Sequence, residues 1–303
     1  MYARVFAWVV RAIRRYVPYD SRLFNSLYFI YIRMTSRKRL KRKTAADMNI
    51  QIHMAEHCNL NCKGCNAFAP LIEECFVDID EIKRDITRFS ELSGGVVGSL
   101  TISGGEPLLN PNLTEILSYA RRCFPKQSIL IITNGLLLGN VGEDFWEACK
   151  TNDVSISFTC YPTNQNEKNI TKLASAHSVR FTYQDDTDIR EKTMSFTPLD
   201  PNGGQNVADS YRFCFMSNYN FIIENGNIYT CPVIAHIEHF NKYFNQNFRT
   251  TEKDYLNLYK VNDIDEILDF FCKPMPFCRY CNQRSRVSGV RWEQSKKDIS
   301  EWM

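Results

Sequence analysis

Residues 58–65 read Cys-Asn-Leu-Asn-Cys-Lys-Gly-Cys, which places three cysteines in a C-x₃-C-x₂-C arrangement directly after an alternating, strand-like stretch at 49–54. No fourth cysteine continues the spacing, whereas structural zinc takes four protein ligands, commonly from two C-x₂-C pairs. Three thiolates on a four-iron cluster would leave one iron open to another ligand. The spacing therefore favours an iron–sulfur cluster. A zinc site completed by Cys75, with His53 and His57 near in sequence, is the alternative.

Strand and helix patterns alternate after this loop. Apolar residues at helical spacing predict a helix over 78–92, with Asp78 as its N-cap and Gly94 just past its end. Further strands are predicted at 99–103, 128–133 and 154–159, and further helices after Asn110-Pro111, at 143–151 and at 167–176. Such alternation implies parallel βαβ units. The sequence thus predicts an α/β fold closed as a full or partial β/α barrel, with its active face formed by the loops that follow the strands.

The composition excludes several classes of protein. The chain has 303 residues, of which 44% are hydrophobic, enough to build a sizeable core and too many for a disordered chain. No run of about 18 apolar residues is present, which excludes a membrane-spanning helix. The N-terminus lacks the features of a signal peptide. We therefore expect a cytoplasmic protein whose twelve cysteines are reduced and available to metal.

The first 45 residues carry an uneven share of the charge. They hold twelve of the 37 Lys and Arg residues and one of the 34 acidic residues, so this segment is +11 and the remainder is −8. Residues 2–17 have the pattern of a basic amphipathic helix, and a polybasic run follows at 37–43. These features are typical of contact with a membrane surface. Nucleic-acid contact and simple docking on the rest of the protein are the alternatives. We treat residues 1–48 as a separate N-terminal segment.

A second motif follows the strand predicted at 99–103. Residues 104–107 read Gly-Gly-Glu-Pro; the two glycines allow a close backbone approach, and Glu106 can accept a hydrogen bond from an ammonium group. Alone, the segment is more typical of an ordinary turn, and its position after the cysteine motif reverses that preference. Together and in this order, the cysteine motif and Gly104–Pro107 resemble the signatures of the radical S-adenosylmethionine (radical SAM) enzymes.

The resemblance implies a [4Fe–4S] cluster on Cys58, Cys62 and Cys65, with the open iron bound by the amino and carboxylate groups of SAM. One electron then cleaves SAM to a 5′-deoxyadenosyl radical, which removes a hydrogen atom from the substrate. The residues implied as SAM-binding are Gly104, Gly105, Glu106, Pro107, Asn134 and Ser157. Many members have an aromatic residue where this chain has Gly64, so adenine stacking is expected from another residue, such as Phe68.

Four more cysteines are grouped in the C-terminal third. Cys214 and Cys231 flank a predicted β-hairpin with Asn225-Gly226 at its turn, and Cys278-x₂-Cys281 follows. From the residues alone, zinc and an iron–sulfur cluster are equally supported. The region resembles the Twitch domain, a truncated relative of the SPASM domain, which implies an auxiliary [4Fe–4S] cluster on these four cysteines. The Pro- and Gly-rich stretch 196–206 then separates a radical SAM core (49–200) from a small α+β auxiliary domain (201–303).

The resemblance covers roughly residues 50–285. Over this range the sequence is similar to radical SAM proteins found with bacterial surface-polysaccharide genes. It implies an oxidoreductase whose substrate is a carbohydrate, either free or linked to a nucleotide or lipid. The auxiliary cluster would accept an electron in an oxidation to a ketone. Epimerisation would instead need a hydrogen donor, for which Cys160 is the nearest spare thiol, although a packed core thiol is the simpler interpretation. Flavodoxin or ferredoxin is the implied reductant.

Two other functions compete with this one. Related SPASM enzymes modify peptides or proteins by radical chemistry, although no peptide-recognition domain is evident in the sequence. The alternative of another class is a non-catalytic iron–sulfur or zinc module that binds nucleic acid through the basic arm. Nucleic acid is not expected as a partner of a radical SAM enzyme of this kind.

Overall fold

The computed structural model describes residues 40–159, 161–163, 167–183 and 193–303. The strands are β1 (Asn49–His53), β2 (Ser99–Ser103), β3 (Ile129–Thr133), β4 (Val154–Phe158), β5 (Phe181–Tyr183), β6 (Thr193–Phe196), β7 (Asn220–Glu224), β8 (Asn227–Tyr229), β9 (Tyr255–Asn257) and β10 (Val287–Arg291). The α-helices are α1 (Ile79–Ser93), α2 (Leu113–Cys123), α3 (Glu143–Thr151), α4 (Glu167–Ala176), α5 (Val207–Phe213), α6 (Pro232–Phe244) and α7 (Ile264–Phe271).

Eight of these strands form one sheet in the order β5-β4-β3-β2-β1-β7-β8-β9. Strands β1 to β5 are parallel to one another and β7 is parallel to β1, whereas β8 and β9 are antiparallel additions. One helix, from α1 to α4, lies between each consecutive pair of the first five strands, as parallel pairing requires. The predicted α/β fold is therefore confirmed, with a mostly parallel central sheet, whereas the closure of this sheet as a partial β/α barrel stays a prediction. Strands β6 and β10 form a separate antiparallel pair.

Local sequence signals explain where the helices begin and end. The Asp78 carboxylate accepts a hydrogen bond from the Glu81 backbone N–H at 2.9 Å, which caps the first turn of α1. Gly94 ends the helix with a φ of 62°, a left-handed conformation that costs glycine little. The apolar face between these caps is buried in the core. Helix α1 accordingly spans Ile79–Ser93, within one residue of its predicted bounds.

The register of the parallel strands sorts their side chains into two layers. Ile50, Leu100, Ile129 and Val154 are aligned across four strands, and each is at most 2% exposed. Side chains alternate between the two faces of a strand, so the neighbouring residues of β1 point the other way. His53 therefore shares the second face with its register partner Ser103, and both residues are buried at the carboxyl end of their strands.

The C-terminal third contributes to the same sheet as the core. The predicted hairpin is present as β7 and β8, and β7 pairs with β1. Asp85 on α1 accepts hydrogen bonds from the Gly226 backbone N–H at 2.9 Å and from the Tyr259 hydroxyl at 2.8 Å, which fixes the hairpin turn to the core. The division into domains at residues 200 and 201 stays a prediction.

The end of the basic segment docks on the protein. The Arg42 guanidinium lies 2.5 Å from carboxylate oxygens of both Asp265 and Asp269, and the Lys43 ammonium lies over the ring of Tyr219. The helix predicted at 2–17 lies outside the described residues, as does Cys160. Within the described part of the chain, no helix has the length and apolar character needed to cross a membrane.

The turn at Gly104 and Gly105 is packed against the backbone that leads into the cysteine loop. Gly105 donates its N–H to the Ala55 carbonyl at 2.6 Å, and Glu106 donates its N–H to the His57 carbonyl at 3.1 Å. A Cβ on Gly105 would lie 1.9 Å from the His57 carbonyl oxygen, and one on Gly104, where φ is 130°, would lie 2.4 Å from that of Ala55. Neither position has space for a side chain.

We expect Gly105→Ala to destabilise the protein by about 3 kcal/mol, because the added methyl group must push two backbone segments apart. Gly139→Ala is the matched control, since nothing lies within 4 Å of the Cβ that it would add. Equilibrium unfolding in denaturant measures both changes. Equal stabilities of the two variants would contradict the packing described for this turn.

Candidate functional site

The cysteine loop begins five residues after β1, at the carboxyl edge of the sheet. The thiols of Cys58, Cys62 and Cys65 are close enough to interact electrostatically. Burial raises the pKa of Cys58 to about 11 and that of Cys62 to about 12, so these groups need positive charge or hydrogen-bond donors to ionise. Backbone donors are present. The Leu60 N–H lies 3.4 Å from the Cys58 sulfur, the N–H groups of Ala67 and Ala69 lower the pKa of the Cys65 thiol, and the Phe68 N–H donates to the Cys65 carbonyl at 3.0 Å.

Gly64 has no room for the aromatic residue that many radical SAM proteins carry at this position. Its φ is 63°, and a Cβ there would lie 2.8 Å from Cδ1 of Phe196. Phe68, the residue expected to stack on adenine instead, is only 1% exposed and packs against Phe240 and Trp302. Its ring belongs to the core, so that expectation is wrong.

Glu106 is hydrogen-bonded within the protein. Its carboxylate accepts from the Thr133 hydroxyl at 2.7 Å, from the Asn134 N–H at 2.9 Å and from the Leu108 N–H at 3.1 Å. The side chain is 1% exposed, and burial raises its pKa to about 6. Glu106 thus fixes the turn that follows β3 to the turn that follows β2.

Asn134 connects this turn to the cysteine loop. Its amide nitrogen donates to the Asn59 side-chain oxygen at 2.8 Å and lies 3.7 Å from the Cys58 sulfur. Ser157 lies in β4, register-paired with Ile132, and is buried. The structure therefore brings Gly104–Pro107 and Asn134 to the cysteine loop and places Ser157 on β4, three strands from β1 in the sheet. Contact of these residues with SAM stays a prediction.

Two aromatic residues that the sequence analysis did not assign to the site lie against Cys62. The Trp292 indole N–H donates to the Cys62 sulfur at 3.1 Å. The Tyr161 hydroxyl also hydrogen-bonds to this sulfur, and its ring contacts that of Trp292. Tyr161 follows β4, but Trp292 lies 230 residues from Cys62, and no local pattern joins residues so far apart.

The four C-terminal cysteines also meet. Cys214 ends α5, Cys231 caps the start of α6, Cys278 lies in a 3₁₀ turn and Cys281 ends that turn. The Cys278 and Cys281 thiols each interact electrostatically with those of Cys214 and Cys231. Burial raises the pKa of Cys231 to about 12. Four converging thiols are a complete ligand set for a four-iron cluster or for zinc, and the identity of the metal stays a prediction.

The remaining cysteines considered as ligands lie apart from these groups. The Cys272 thiol is directed to the Asp269 carbonyl at 3.2 Å. The Cys75 thiol hydrogen-bonds to Glu56, and its backbone carbonyl lies 2.9 Å from His57 Nδ1. Cys75 therefore contacts Glu56 and His57, and not the three thiols of the cysteine loop.

A buried group of ionisable residues lies on the second face of the sheet. His53, Glu224 and His236 bring ligand-type atoms within 4.8 Å of one another. His53 Nδ1 and His236 Nε2 are 2.9 Å apart, and His236 Nδ1 lies 3.5 Å from Glu224 Oε2. The ring centres are 5.0 Å apart and the ring planes differ by 8°. The separation of the two nitrogens is that of a hydrogen bond between the imidazole rings.

The comparisons identify the domain around the cysteine loop. Residues 52–182 match the sequence model of the Radical SAM superfamily. The match spans the cysteine motif and Gly104–Pro107, and it confirms the resemblance stated from them. Proteins of this superfamily are enzymes that use SAM and a [4Fe–4S] cluster, so these two predicted cofactors are confirmed as well. The resemblance to Twitch, the auxiliary cluster and the link to polysaccharides stay predictions.

Curated relatives match over a limited part of their length. A GTP 3′,8-cyclase of Tolumonas auensis is 26% identical over 101 residues, which is 33% of this chain and 29% of that protein. A probable GTP 3′,8-cyclase of Pyrococcus abyssi is 31% identical over 101 residues, 33% of this chain and 31% of the relative. This chain thus spans about a third of the length of these relatives.

Solved structures match over more of the chain at low identity. BtrN in complex with AdoMet and 2-DOIA is 15% identical, and the match covers 80% of this chain and 94% of BtrN with a TM-score of 0.49. Native anSMEcpe with bound AdoMet and Cp18Cys peptide is 14% identical, with 83% and 91% covered and a TM-score of 0.45. SuiB of Streptococcus suis bound to S-adenosylmethionine is 11% identical, with 80% and 69% covered and a TM-score of 0.37.

The buried histidines predict a loss of stability in acid. Burial lowers the pKa of His53 to about 4, against an ordinary value of about 6.5, and it lowers the pKa of His236 as well. The unfolded chain therefore binds more protons than the folded protein between these values, and stability falls as the pH falls. From pH 7.5 to 5.5, His53 alone contributes a loss of about 1.3 kcal/mol.

Unfolding in denaturant at these two pH values measures the loss in wild type and in His53→Gln, which we expect to show a smaller pH dependence. His177→Gln is the control, because His177 is half-buried and pairs with Glu143 outside this group. A loss in His53→Gln equal to that of wild type would contradict the assignment.

Proposed function

We propose that this chain, whose residues 52–182 form a radical SAM domain, is an oxidoreductase that removes a hydrogen atom from a carbohydrate alcohol and completes its oxidation to a ketone. The observation that carries the radical chemistry is the convergence of Cys58, Cys62 and Cys65 in a loop held by the turn at Gly105. The oxidation is proposed from the second convergence of thiols, in the C-terminal third.

The residues around the three thiols suit a [4Fe–4S] cluster with one open iron. Backbone N–H groups point to the sulfurs of Cys58 and Cys65, and Trp292 donates to that of Cys62. Donors in these positions stabilise thiolates, the form that binds iron. With SAM bound, the cluster supplies the 5′-deoxyadenosyl radical that removes the hydrogen atom.

The surrounding chain would bind SAM and exclude water. Glu106 fixes the Thr133-Asn134 turn beside Cys58, which positions the Asn134 amide at the edge of the cluster. Tyr161 and Trp292 cover Cys62 from the side, and Trp292 is only 8% exposed. A radical that attacks unactivated C–H bonds needs such exclusion of solvent to avoid side reactions.

The second site is proposed to hold the auxiliary [4Fe–4S] cluster on Cys214, Cys231, Cys278 and Cys281. A substrate radical at an alcohol carbon becomes a ketone by losing the hydroxyl proton and one electron. A cluster with four protein ligands can accept that electron without changing its ligands. Epimerisation is the redox-neutral alternative. An external one-electron donor such as flavodoxin or ferredoxin would reduce the first cluster.

The substrate class rests on the sequence resemblance to proteins found with surface-polysaccharide genes. A carbohydrate, free or linked to a nucleotide or lipid, is therefore the proposed substrate, and a peptide is the alternative that the assay must include. The matched third of the GTP 3′,8-cyclases does not define a substrate for the whole chain.

We expect the anaerobically reconstituted protein to bind about eight irons and to release 5′-deoxyadenosine from SAM with dithionite. In the Cys58/Cys62/Cys65→Ala triple variant, iron should fall to about four and 5′-deoxyadenosine should be lost, because the auxiliary thiols remain. Iron analysis and mass spectrometry measure the two quantities.

Cys123→Ala/Cys272→Ala is the matched control and should leave both quantities unchanged, since these cysteines lie outside both groups. Zinc in place of iron, with no 5′-deoxyadenosine, would contradict the proposal. Salt-sensitive nucleic-acid binding that survives the triple substitution would then support the non-catalytic alternative. Four irons falling to none would keep the radical enzyme and favour epimerisation.

Deuterated substrates distinguish the substrate classes. We expect deuterium to pass into 5′-deoxyadenosine from one member of a panel of free, nucleotide-linked and lipid-linked sugars, and not from peptides. In Cys278→Ala/Cys281→Ala the transfer should persist while ketone formation is lost, because the proposed electron acceptor is absent. Transfer from peptides alone would contradict the carbohydrate assignment, and ketone formation that survives the double substitution would contradict the role of the auxiliary site.

A further inference from the structure

The last residues of the chain form a strap across the cysteine loop. We define the strap as residues 292–303. Its backbone pairs with the loop through two hydrogen bonds, from the Lys63 N–H to the Glu293 carbonyl at 3.0 Å and from the Ser295 N–H to the Asn61 carbonyl at 2.7 Å. The Lys63 ammonium also lies 2.9 Å from the Glu293 carboxylate. The strap is therefore in register with the loop and not merely adjacent to it.

Two tryptophans of the strap donate their indole N–H groups to the loop, but to different acceptors. Trp292 donates to the sulfur of Cys62 at 3.1 Å, whereas Trp302 donates to the backbone carbonyl of Cys65 at 2.9 Å. Both rings are buried, at 8% and 3% exposure. The two tryptophans therefore have different effects on the loop. Trp302 can act only on the conformation of the loop, while Trp292 acts on a sulfur atom.

We propose that Trp292 is a positioning residue that raises the reduction potential of the cluster held by Cys58, Cys62 and Cys65, through its hydrogen bond to the Cys62 sulfur. This inference rests on the proposed function, since it requires a cluster on these three cysteines. Tyr161 is the second donor to the same sulfur and contributes in the same direction.

The direction of the effect follows from charge. One-electron reduction adds a negative charge to the cluster, and part of it resides on the cysteine sulfurs. An N–H donor stabilises the more negative state more strongly, so it makes reduction easier. The effect grows as water is excluded from the sulfur, and the Trp292 side chain that covers one side of it is only 8% exposed. Without the donor, the same cluster requires a stronger reductant.

The test uses the reconstituted full-length protein and a redox titration followed by electron paramagnetic resonance. The signal that changes on SAM addition identifies the cluster with the open iron and separates it from the auxiliary cluster. We expect Trp292→Phe, which removes the N–H and keeps an aromatic ring, to shift the potential of this signal to a more negative value. Tyr161→Phe should shift it in the same direction.

Trp302→Phe is the matched control, because it removes a buried indole donor from the same strap without touching a sulfur. It should leave the potential near that of wild type. Iron content and circular dichroism confirm that each variant assembles its clusters and folds. An unchanged potential in Trp292→Phe, or equal shifts in Trp292→Phe and Trp302→Phe, would overturn the inference and leave the proposed function standing.

The two proposals fail in different ways. A wild-type protein that assembles no SAM-sensitive cluster would overturn the proposed function, and this inference with it. If the wild-type protein assembles such a cluster, the potentials of the variants test only the role of Trp292. Neither test requires enzymatic activity, because cluster assembly and the reduction potential are both measured without substrate.

Discussion

The cysteine loop depends on the close packing of two backbone turns. Gly105 donates its N–H to Ala55, and its α-carbon lies so near the His57 carbonyl that no side chain fits. This contact holds the end of β1 against the end of β2 just before the loop begins. Glu106 extends the same packing to the turn after β3 through its hydrogen bonds with Thr133 and Asn134. The three turns therefore hold the loop at a fixed position on the sheet edge.

The parts of the fold that the sequence predicts are those set by local chemistry. Helix α1 has an N-cap at Asp78 and a left-handed glycine at Gly94, and the structure places its ends within one residue of these signals. The hairpin with Asn225-Gly226 at its turn is likewise present. The pairing of β7 with β1 could not be predicted in the same way, because strand partners distant in sequence are chosen by packing rather than by local pattern.

The residues of the site also differ in how well local sequence predicts them. Motif spacing led to the cysteines and to Gly104–Pro107, since those residues are neighbours in sequence. Trp292 escaped prediction because it lies 230 residues from Cys62, beyond the reach of any local sequence pattern. Phe68 misled for a related reason. Its position three residues after Cys65 made it a candidate to stack on adenine, yet its backbone is left-handed and its side chain packs in the core against Phe240.

Helix α6 connects the two groups of cysteines in one packed unit. Cys231 is its N-cap, and one of its side chains, His236, is hydrogen-bonded to His53 at the end of β1. Further along the helix, Phe240 packs on Phe68, three residues after Cys65. Because interiors are close-packed, a displacement of the helix start would be transmitted to the cysteine loop. The two groups of cysteines are therefore connected through the packing of one helix.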